Sequence, residues 1–241
     1  MIIANKTVLI TGANRGIGRA LIDEALKRGA SRVYAGTRSD FQHPDQRVTS
    51  LRLDVTNVTH VEQMAATVND LDLLINNAGI AIYDDLSKFD IIEQTLAVNL
   101  FGLARVTLAL LPALKRSRGA IVNNLSMVAL APLPVIPSYS LSKAAALNLT
   151  QSLRALLAGD GVSVHAVMIG PTDTDMNRGF DIPKAPAAVT AQGIFAGIAA
   201  GEEDIFPDPV SLTVAEGWRN GVAKGLERQF APFAPVAGSN P

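Results

Sequence analysis

The stretch from Lys6 to Gly29 constrains the fold more than any other. A short apolar run, Lys6 to Thr11, passes directly into Gly12-Ala-Asn-Arg-Gly16-Ile-Gly18, after which Ile17, Leu21, Ile22, Ala25 and Leu26 recur at helical spacing. The run reads as a buried strand, the glycines as a turn, and the periodic stretch as a helix closed by Gly29. In this arrangement Gly12 permits a tight exit from the strand, Gly16 lets backbone approach a pyrophosphate, and Gly18 allows the helix to pack on the strand. The free amides and dipole at such a helix N-terminus suit an anion. A purely structural turn has the same local form, so the glycines alone leave binding open.

The alternation continues along the chain. Apolar runs at 32–37, 48–55, 71–77, 120–125 and 162–168 read as strands, and 58–69, 87–116 and 139–158 as helical regions, the last ending at Gly159 or Gly161. A helix at 189–200, a short strand at 204–206 and a helix at 210–230 complete the pattern. Strands that are nearly continuous apolar runs, such as Leu71-Asp-Leu-Leu-Ile75, suit burial on both faces, which specifies an α/β, doubly wound, mainly parallel sheet. No linker divides the 241 residues, so one domain is expected over 1–231, followed by a loose tail at 232–241. Residues 174–188, with Gly179, Pro183 and Pro186 around Phe180 and Ile182, read as a substrate lid.

Several function classes are excluded. With 21 basic and 22 acidic residues spread evenly, there is no electrostatic footprint for nucleic acid or an anionic membrane. The absence of cysteine removes disulfides, thiolate metal sites and a cysteine nucleophile, and His43, His60 and His165 lack metal-ligand spacing, so no metal is expected. The apolar stretch 100–114 carries Arg105 and Pro112 and reads as a buried helix, and the first strand follows Met1-Ile-Ile-Ala without room for a cleavable signal; a cytoplasmic protein is expected.

Ser126, Tyr139 and Lys143 are the candidate catalytic group. Tyr139 and Lys143 lie four residues apart, so a helix places the phenol and the ammonium on one face. A tyrosine normally ionises near pH ~10, and a close cation favours the phenolate. The same pair occurs on solvated helices, and Ser126 alone reads equally well as a turn residue.

Taken in order, these segments resemble the classical short-chain dehydrogenases/reductases. Thr11-Gly12-Ala-Asn-Arg-Gly16-Ile-Gly18 is similar to the family's TGxxxGxG, and Asn76-Asn77-Ala78-Gly79 to its NNAG. Asn99 matches its helical active-site asparagine, Ser126 stands at its interval before Tyr139, and Tyr139 with Lys143 forms YxxxK. The matches run from the first strand to about Met176. The resemblance implies a single-domain Rossmann-type sheet of seven strands in the order 3-2-1-4-5-6-7, and hydride transfer between a nicotinamide and a carbonyl or alcohol. It implies Tyr139 as general acid or base, Ser126 holding the substrate oxygen, Lys143 lowering the Tyr139 pKa and contacting the nicotinamide ribose, and Asn99 supporting a water relay to Lys143. It also implies that helices near 86–116 and 139–158 pair copies into a homodimer or homotetramer.

The implied cofactor contacts are Gly12, Asn14, Arg15, Gly16, Ile17, Gly18, Thr37, Arg38, Asp54, Val55, Asn77, Ala78, Gly79, Tyr139, Lys143, Gly170, Thr172 and Thr174. Where a carboxylate after the second strand would signal NAD, this chain has Gly36-Thr37-Arg38. Arg38 with Arg15 suits a 2′-phosphate, so NADP is expected over NAD, although both arginines also read as solvated side chains. Asp54 resembles an adenine contact or caps a turn. Two departures from the family stand out: Ile169-Gly170-Pro171 replaces the usual Pro-Gly, and Leu125 replaces a serine.

Met127, Leu133, Val135, Ile136, Met176 and Phe180 join Ser126 and Tyr139 as candidate substrate contacts and point to a small hydrophobic ketone, aldehyde or secondary alcohol; each apolar one also reads as core. A non-catalytic dinucleotide sensor is the alternative from another class. A nucleotide-sugar epimerase shares the tyrosine and lysine but normally carries a larger C-terminal domain.

Overall fold

The structure, a computed structural model, describes residues 1–179 and 181–234. Its centre is a seven-stranded parallel sheet built from β1 (Thr7–Thr11), β2 (Arg32–Thr37), β3 (Val48–Arg52), β4 (Leu73–Asn76), β5 (Ala120–Asn124), β6 (Ser163–Val167) and β9 (Asp204–Ile205). The order is β3-β2-β1-β4-β5-β6-β9, the predicted one with Asp204–Ile205 as the seventh strand. Two further short strands, β7 (Thr172–Asp173) and β8 (Ala185–Pro186), pair only with each other.

Alternate side chains along the strands supply two cores. Val8, Ile10, Leu73, Ile75 and Val122 meet α1 (Gly16–Lys27) and α6 (Ala187–Ala200) on one face. Leu9, Leu74, Ile121 and Val164 meet α2 (Val58–Thr67), α4 (Leu103–Ser117) and α5 (Pro137–Leu157) on the other. This two-sided burial is why the strands read as continuous apolar runs. The helical region expected at 87–116 is one continuous helix from Phe89 to Ser117, in which α3 (Phe89–Leu96) leads through a π-helical turn, Ala97–Gly102, into α4. It is long and apolar enough to cross a membrane, yet Leu103, Val106, Leu110 and Leu114 are packed into the protein, as expected of a core helix.

Two expectations at the C-terminal end need correction. The helix expected at 210–230 is two, α7 (Pro209–Arg219) and α8 (Val222–Phe230), because Gly221 adopts an extended conformation (φ −79°, ψ 163°) between them. Among residues 174–188, expected as a substrate lid, are a 3-10 turn, Asp175–Asn177, the strand β8 and the start of α6. The first part of the expected tail is ordered as a 3-10 turn, Ala231–Phe233, while 235–241 and Phe180 lie outside the described residues.

The C-terminal helices are clasped to the sheet edge by a buried ionic cluster. Arg154 of α5 bonds Asp204 at 2.9 Å, the carbonyl of Glu203 at 2.7 Å, and Glu227 of α8. Lys224, only 2% exposed, reaches Glu203 at 2.8 Å and both Asp204 and Glu227 at 2.9 Å. Burial pushes the Asp204 carboxyl up, but the charge of Arg154 and bonds from Lys224 and Trp218 bring it below its ordinary range. Removing one partner of such a cluster strands the others without compensation. Lys224→Met is expected to lower stability by roughly 3–5 kcal/mol, seen in urea unfolding as a lower midpoint at an unchanged slope.

Candidate active site

The carboxyl ends of the strands open into a cavity of about 1160 Å³ that is lined by the glycine turn, the end of β2, Ser126, Tyr139 and Lys143. The turn has the backbone only glycine readily adopts: φ is +64° at Gly12 and +52° at Gly16. A side chain at Gly12 would place its Cβ 2.9 Å from the Ala78 Cα, and one at Gly18 would overlap the Gly12 carbonyl oxygen. No side chain caps the N-terminus of α1 and no acidic residue sits in its first turn, so Gly16, Ile17 and Gly18 offer their amides to the cavity.

Asparagine amides fix the strand ends that surround this turn. The Thr11 hydroxyl accepts bonds from the Asn77 and Ala78 amides, both at 2.9 Å. Asn77 Nδ2 donates to the carbonyls of Thr11 (3.0 Å) and Gly12 (3.1 Å), and its Oδ1 accepts from Asn124 Nδ2 at 3.0 Å. One residue back, Asn76 donates to Thr107 and Asn123, and Asn123 donates to Thr150, each at 2.9 Å, tying β4 and β5 to α4 and α5.

Ser126, two residues beyond β5, is extended and caps the short turn Met127–Ala129. Tyr139 enters from α5, which begins earlier than expected because Pro137 suits its first position. Burial pushes the Tyr139 phenol up to about 12, with the neighbouring Ser126 hydroxyl pulling the other way. Lys143 is not among the causes of that shift. Lys143 Nζ lies 5.6 Å from the Tyr139 ring centroid and donates to the Asn124 carbonyl at 2.7 Å, while burial brings its own pKa down to about 8.

Asn99 sits on the π-helical turn behind the cavity wall, 1% exposed. Its Oδ1 accepts from the Ile80 amide, and its Nδ2 donates to the Ile80 carbonyl and the Ser142 hydroxyl, all at 2.9 Å. Ser142 in turn donates to the Tyr139 carbonyl at 2.7 Å. Both amide hydrogens are committed, so a water relay to Lys143 has no free donor on this side chain.

At the other end, Arg38 is exposed on the cavity wall and makes no ion pair among the described residues. Arg15 lines the same cavity and pairs with Asp175 at 3.1 Å. Thr37 is buried off the wall, its hydroxyl bonding the Ser39 carbonyl at 2.6 Å, and Asn14 reaches the Ser39 hydroxyl at 3.4 Å. Asp54 does cap a turn: burial pushes its carboxyl up, but bonds from the Thr56 hydroxyl and amide, with the charge of Arg38, hold it below its ordinary range. Val55, Asn77, Ala78 and Gly79 line the wall. The altered Ile169-Gly170-Pro171 turn is held by Asp208, whose carboxylate accepts from the Gly170 amide at 2.8 Å, and by the Pro171 carbonyl, which accepts from Ala185 at 2.9 Å. Thr172 and Thr174 stay on the cavity.

Met127, Leu133, Ile136 and Met176 line the cavity near Tyr139, whereas Val135 is 48% exposed and turned away from it, and Phe180 is outside the described residues. Sequence reasoning missed Asp175, Asn124, Leu130 and Val214 on the wall. Of these, only Asn124 carried a signal, as a polar residue closing an otherwise apolar strand.

The family model described as short chain dehydrogenase matches residues 6–184. The 11-beta-hydroxysteroid dehydrogenase-like 3 of Arabidopsis thaliana is 31% identical over 224 residues, covering 83% of this chain and 72% of its own. A 3-oxoacyl-acyl-carrier-protein reductase of Vibrio harveyi is 30% identical over 203 residues, covering 79% and 83% respectively. The solved structure of a short chain dehydrogenase from Burkholderia cenocepacia in complex with NADP superposes with a TM-score of 0.87 at 35% identity, covering 95% of this chain and 98% of that one.

Proposed function

Because the chain belongs to the short-chain dehydrogenase family, we propose that it is an NADP(H)-dependent oxidoreductase acting between a hydrophobic ketone or aldehyde and the corresponding alcohol, with Tyr139 as the acid or base. The observation that carries this reading is that Ser126, Tyr139 and Lys143 stand on the wall of the same cavity that the glycine turn lines.

The residues present fit a dinucleotide: the turn has space only for hydrogen at Gly12 and Gly18, and the α1 amides are uncapped. Gly12, Gly16 and Gly18 would cradle its phosphates, and Asn77, Ala78 and Gly79 would border its nicotinamide half. When bound, the nicotinamide supplies or accepts the hydride. Tyr139, held protonated by burial, has a proton to give to a carbonyl oxygen that the Ser126 hydroxyl orients. Lys143 spends one N–H on the Asn124 carbonyl, leaving two for ribose hydroxyls.

NADP is favoured by Arg38, which follows β2 in place of a carboxylate and makes no ion pair among the described residues, and by the relative solved with NADP. The wall formed by Met127, Leu130, Leu133, Ile136, Met176 and Val214 is uncharged, which supports an apolar substrate; relatives named for a hydroxysteroid and a 3-oxoacyl group agree with that class. The cysteine-free composition suits the cytoplasm. Exposed Phe101 and Leu108 on the Phe89–Ser117 helix, with Leu141 and Leu156 on α5, support pairing of two copies through these helices; sedimentation as a monomer at micromolar concentration would refute that pairing.

Loss of NADPH absorbance with a panel of hydrophobic ketones tests the chemistry. Tyr139→Phe is expected to reduce turnover by about 10²–10⁴-fold while still binding NADPH. Parental turnover in the variant would overturn the assignment, and a parent inactive on every ketone and alcohol would favour a cofactor sensor. Arg38→Asp is expected to weaken NADPH by about 10–100-fold, the range of a charge-assisted bond, and NADH little. Equal losses for both cofactors would refute the 2′-phosphate role.

A further inference from the structure

The helix α7 follows the residues 6–184 that the family model matches, so the match says nothing of what this helix does. Two of its side chains, Val210 and Val214, line the cavity. They stand four residues apart and so share one face of the helix. Val214 packs with Leu130 on the buried cluster that holds Leu125, which places it on the Ser126 side of the cavity. The helix is pinned at both ends. Near its end the Trp218 indole N–H donates to Asp204 at 2.8 Å, and at its start Asp208 caps it.

Asp208 does more than cap. It is 1% exposed, and its two carboxylate oxygens divide the work. Oδ1 accepts from the Val210 amide at 3.1 Å and the Ser211 amide at 2.9 Å. Oδ2 accepts from the Ser211 hydroxyl at 2.9 Å and from the Gly170 amide at 2.8 Å. Gly170 stands 38 positions earlier, in the turn after β6 that lines the cavity. The fit there is close: a Cβ at Gly170 would lie 2.5 Å from Asp208 Oδ1 and 3.2 Å from the Val210 Cβ. The residue before it belongs to the reacting end, since the Ile169 carbonyl accepts from the Met127 amide, next to Ser126, at 3.0 Å.

We infer that Asp208 is a positioning residue for substrate. By holding the Gly170 amide and the first turn of α7 with one carboxylate, it sets the wall of Val210 and Val214 against the reacting end of the cavity, and that wall takes the longer apolar arm of the ketone. This rests on the oxidoreductase reading above. Spacing matters at such a junction, because a misplacement of about 1 Å can cost about 10²-fold in rate.

Asparagine separates the two roles of Asp208. Its single oxygen can serve the two α7 amides or Gly170 but not both, and in the first case its Nδ2 meets the Gly170 N–H, donor against donor. Asp208→Asn therefore keeps a good cap, where asparagine ranks with aspartate, and releases the turn. With saturating NADPH, kcat/KM is measured for butanone and for methyl hexyl ketone in the parent and the variant. The ratio of the two constants does not depend on how much enzyme is folded, so a loss of stability alone leaves it unchanged. The parent is expected to favour the longer ketone, and the variant to lose about tenfold of that preference, the scale of a methylene contact in an apolar pocket.

An unchanged ratio in the variant overturns the inference, whether both ketones keep their rates or slow alike. So does a parent without preference for the longer ketone. Gly170→Ala, whose methyl presses on Asp208 and Val210 while the cap stays intact, gives the same readout if Asp208→Asn does not fold. A parent that reduces neither ketone overturns the hydrophobic-ketone reading and the inference with it, whereas an active parent and an unchanged ratio overturn the inference alone.

Discussion

The site depends on the amide of Asn77. The glycines of the turn after β1 have no side chains with which to hold their own shape, so the shape is imposed from outside. Asn77 Nδ2 takes the carbonyls of Thr11 and Gly12 together, while the Thr11 hydroxyl takes the amides of Asn77 and Ala78 in return. Four bonds thereby fix the end of β1 against the end of β4. A fifth, from Asn124, brings in β5 and, through its carbonyl, Lys143. Each of these groups is largely withdrawn from water, where an unmade bond costs about 1–3 kcal/mol. The register of three strand ends is thus set by polar bonds as well as by the apolar layers on either face.

Much of this was legible in the sequence because it is local. A strand apolar throughout, a glycine turn and a helix with 3.6-residue periodicity are properties of neighbouring residues, and they recover the sheet from β1 to β6. Tyr139 and Lys143 were legible for the same reason, being one turn apart. What escaped depends on distant partners. Arg15 meets Asp175, 160 positions along the chain, and nothing near Arg15 announces that carboxylate. Thr37 and Val135 sit next to true wall residues but point elsewhere, Thr37 because side chains alternate along a strand and Val135 because it lies in a turn closed by the Ile136 amide on the Leu133 carbonyl. The break between α7 and α8 was hidden because apolar residues continue on both sides of Gly221.

The Tyr139 and Lys143 pair shows where a spacing argument stops. Four residues on a helix guarantee proximity, but proximity did not decide ionisation: both groups are displaced towards their neutral forms because burial outweighs the contact between them. The ammonium faces the Asn124 carbonyl rather than the phenol oxygen. In the free protein the site therefore rests with the phenol protonated, a state prepared to donate.

The π-helical turn at Ala97–Gly102 makes its own demand on the long helix that contains it. Hydrogen bonds that reach five residues instead of four take up one extra residue, and one residue of α-helix is about 100° of rotation. The segments before and after the turn are therefore out of phase with each other: α3 faces α5, while α4 faces the sheet and α2. Gly102 permits this close fit, since a Cβ there would lie 2.5 Å from the Val55 side chain. A straight helix of the same length would keep a single stripe and could satisfy only one set of neighbours. The irregularity works as a phase shifter, letting one rod serve two surfaces, and Asn99 lies at the point where the phase changes.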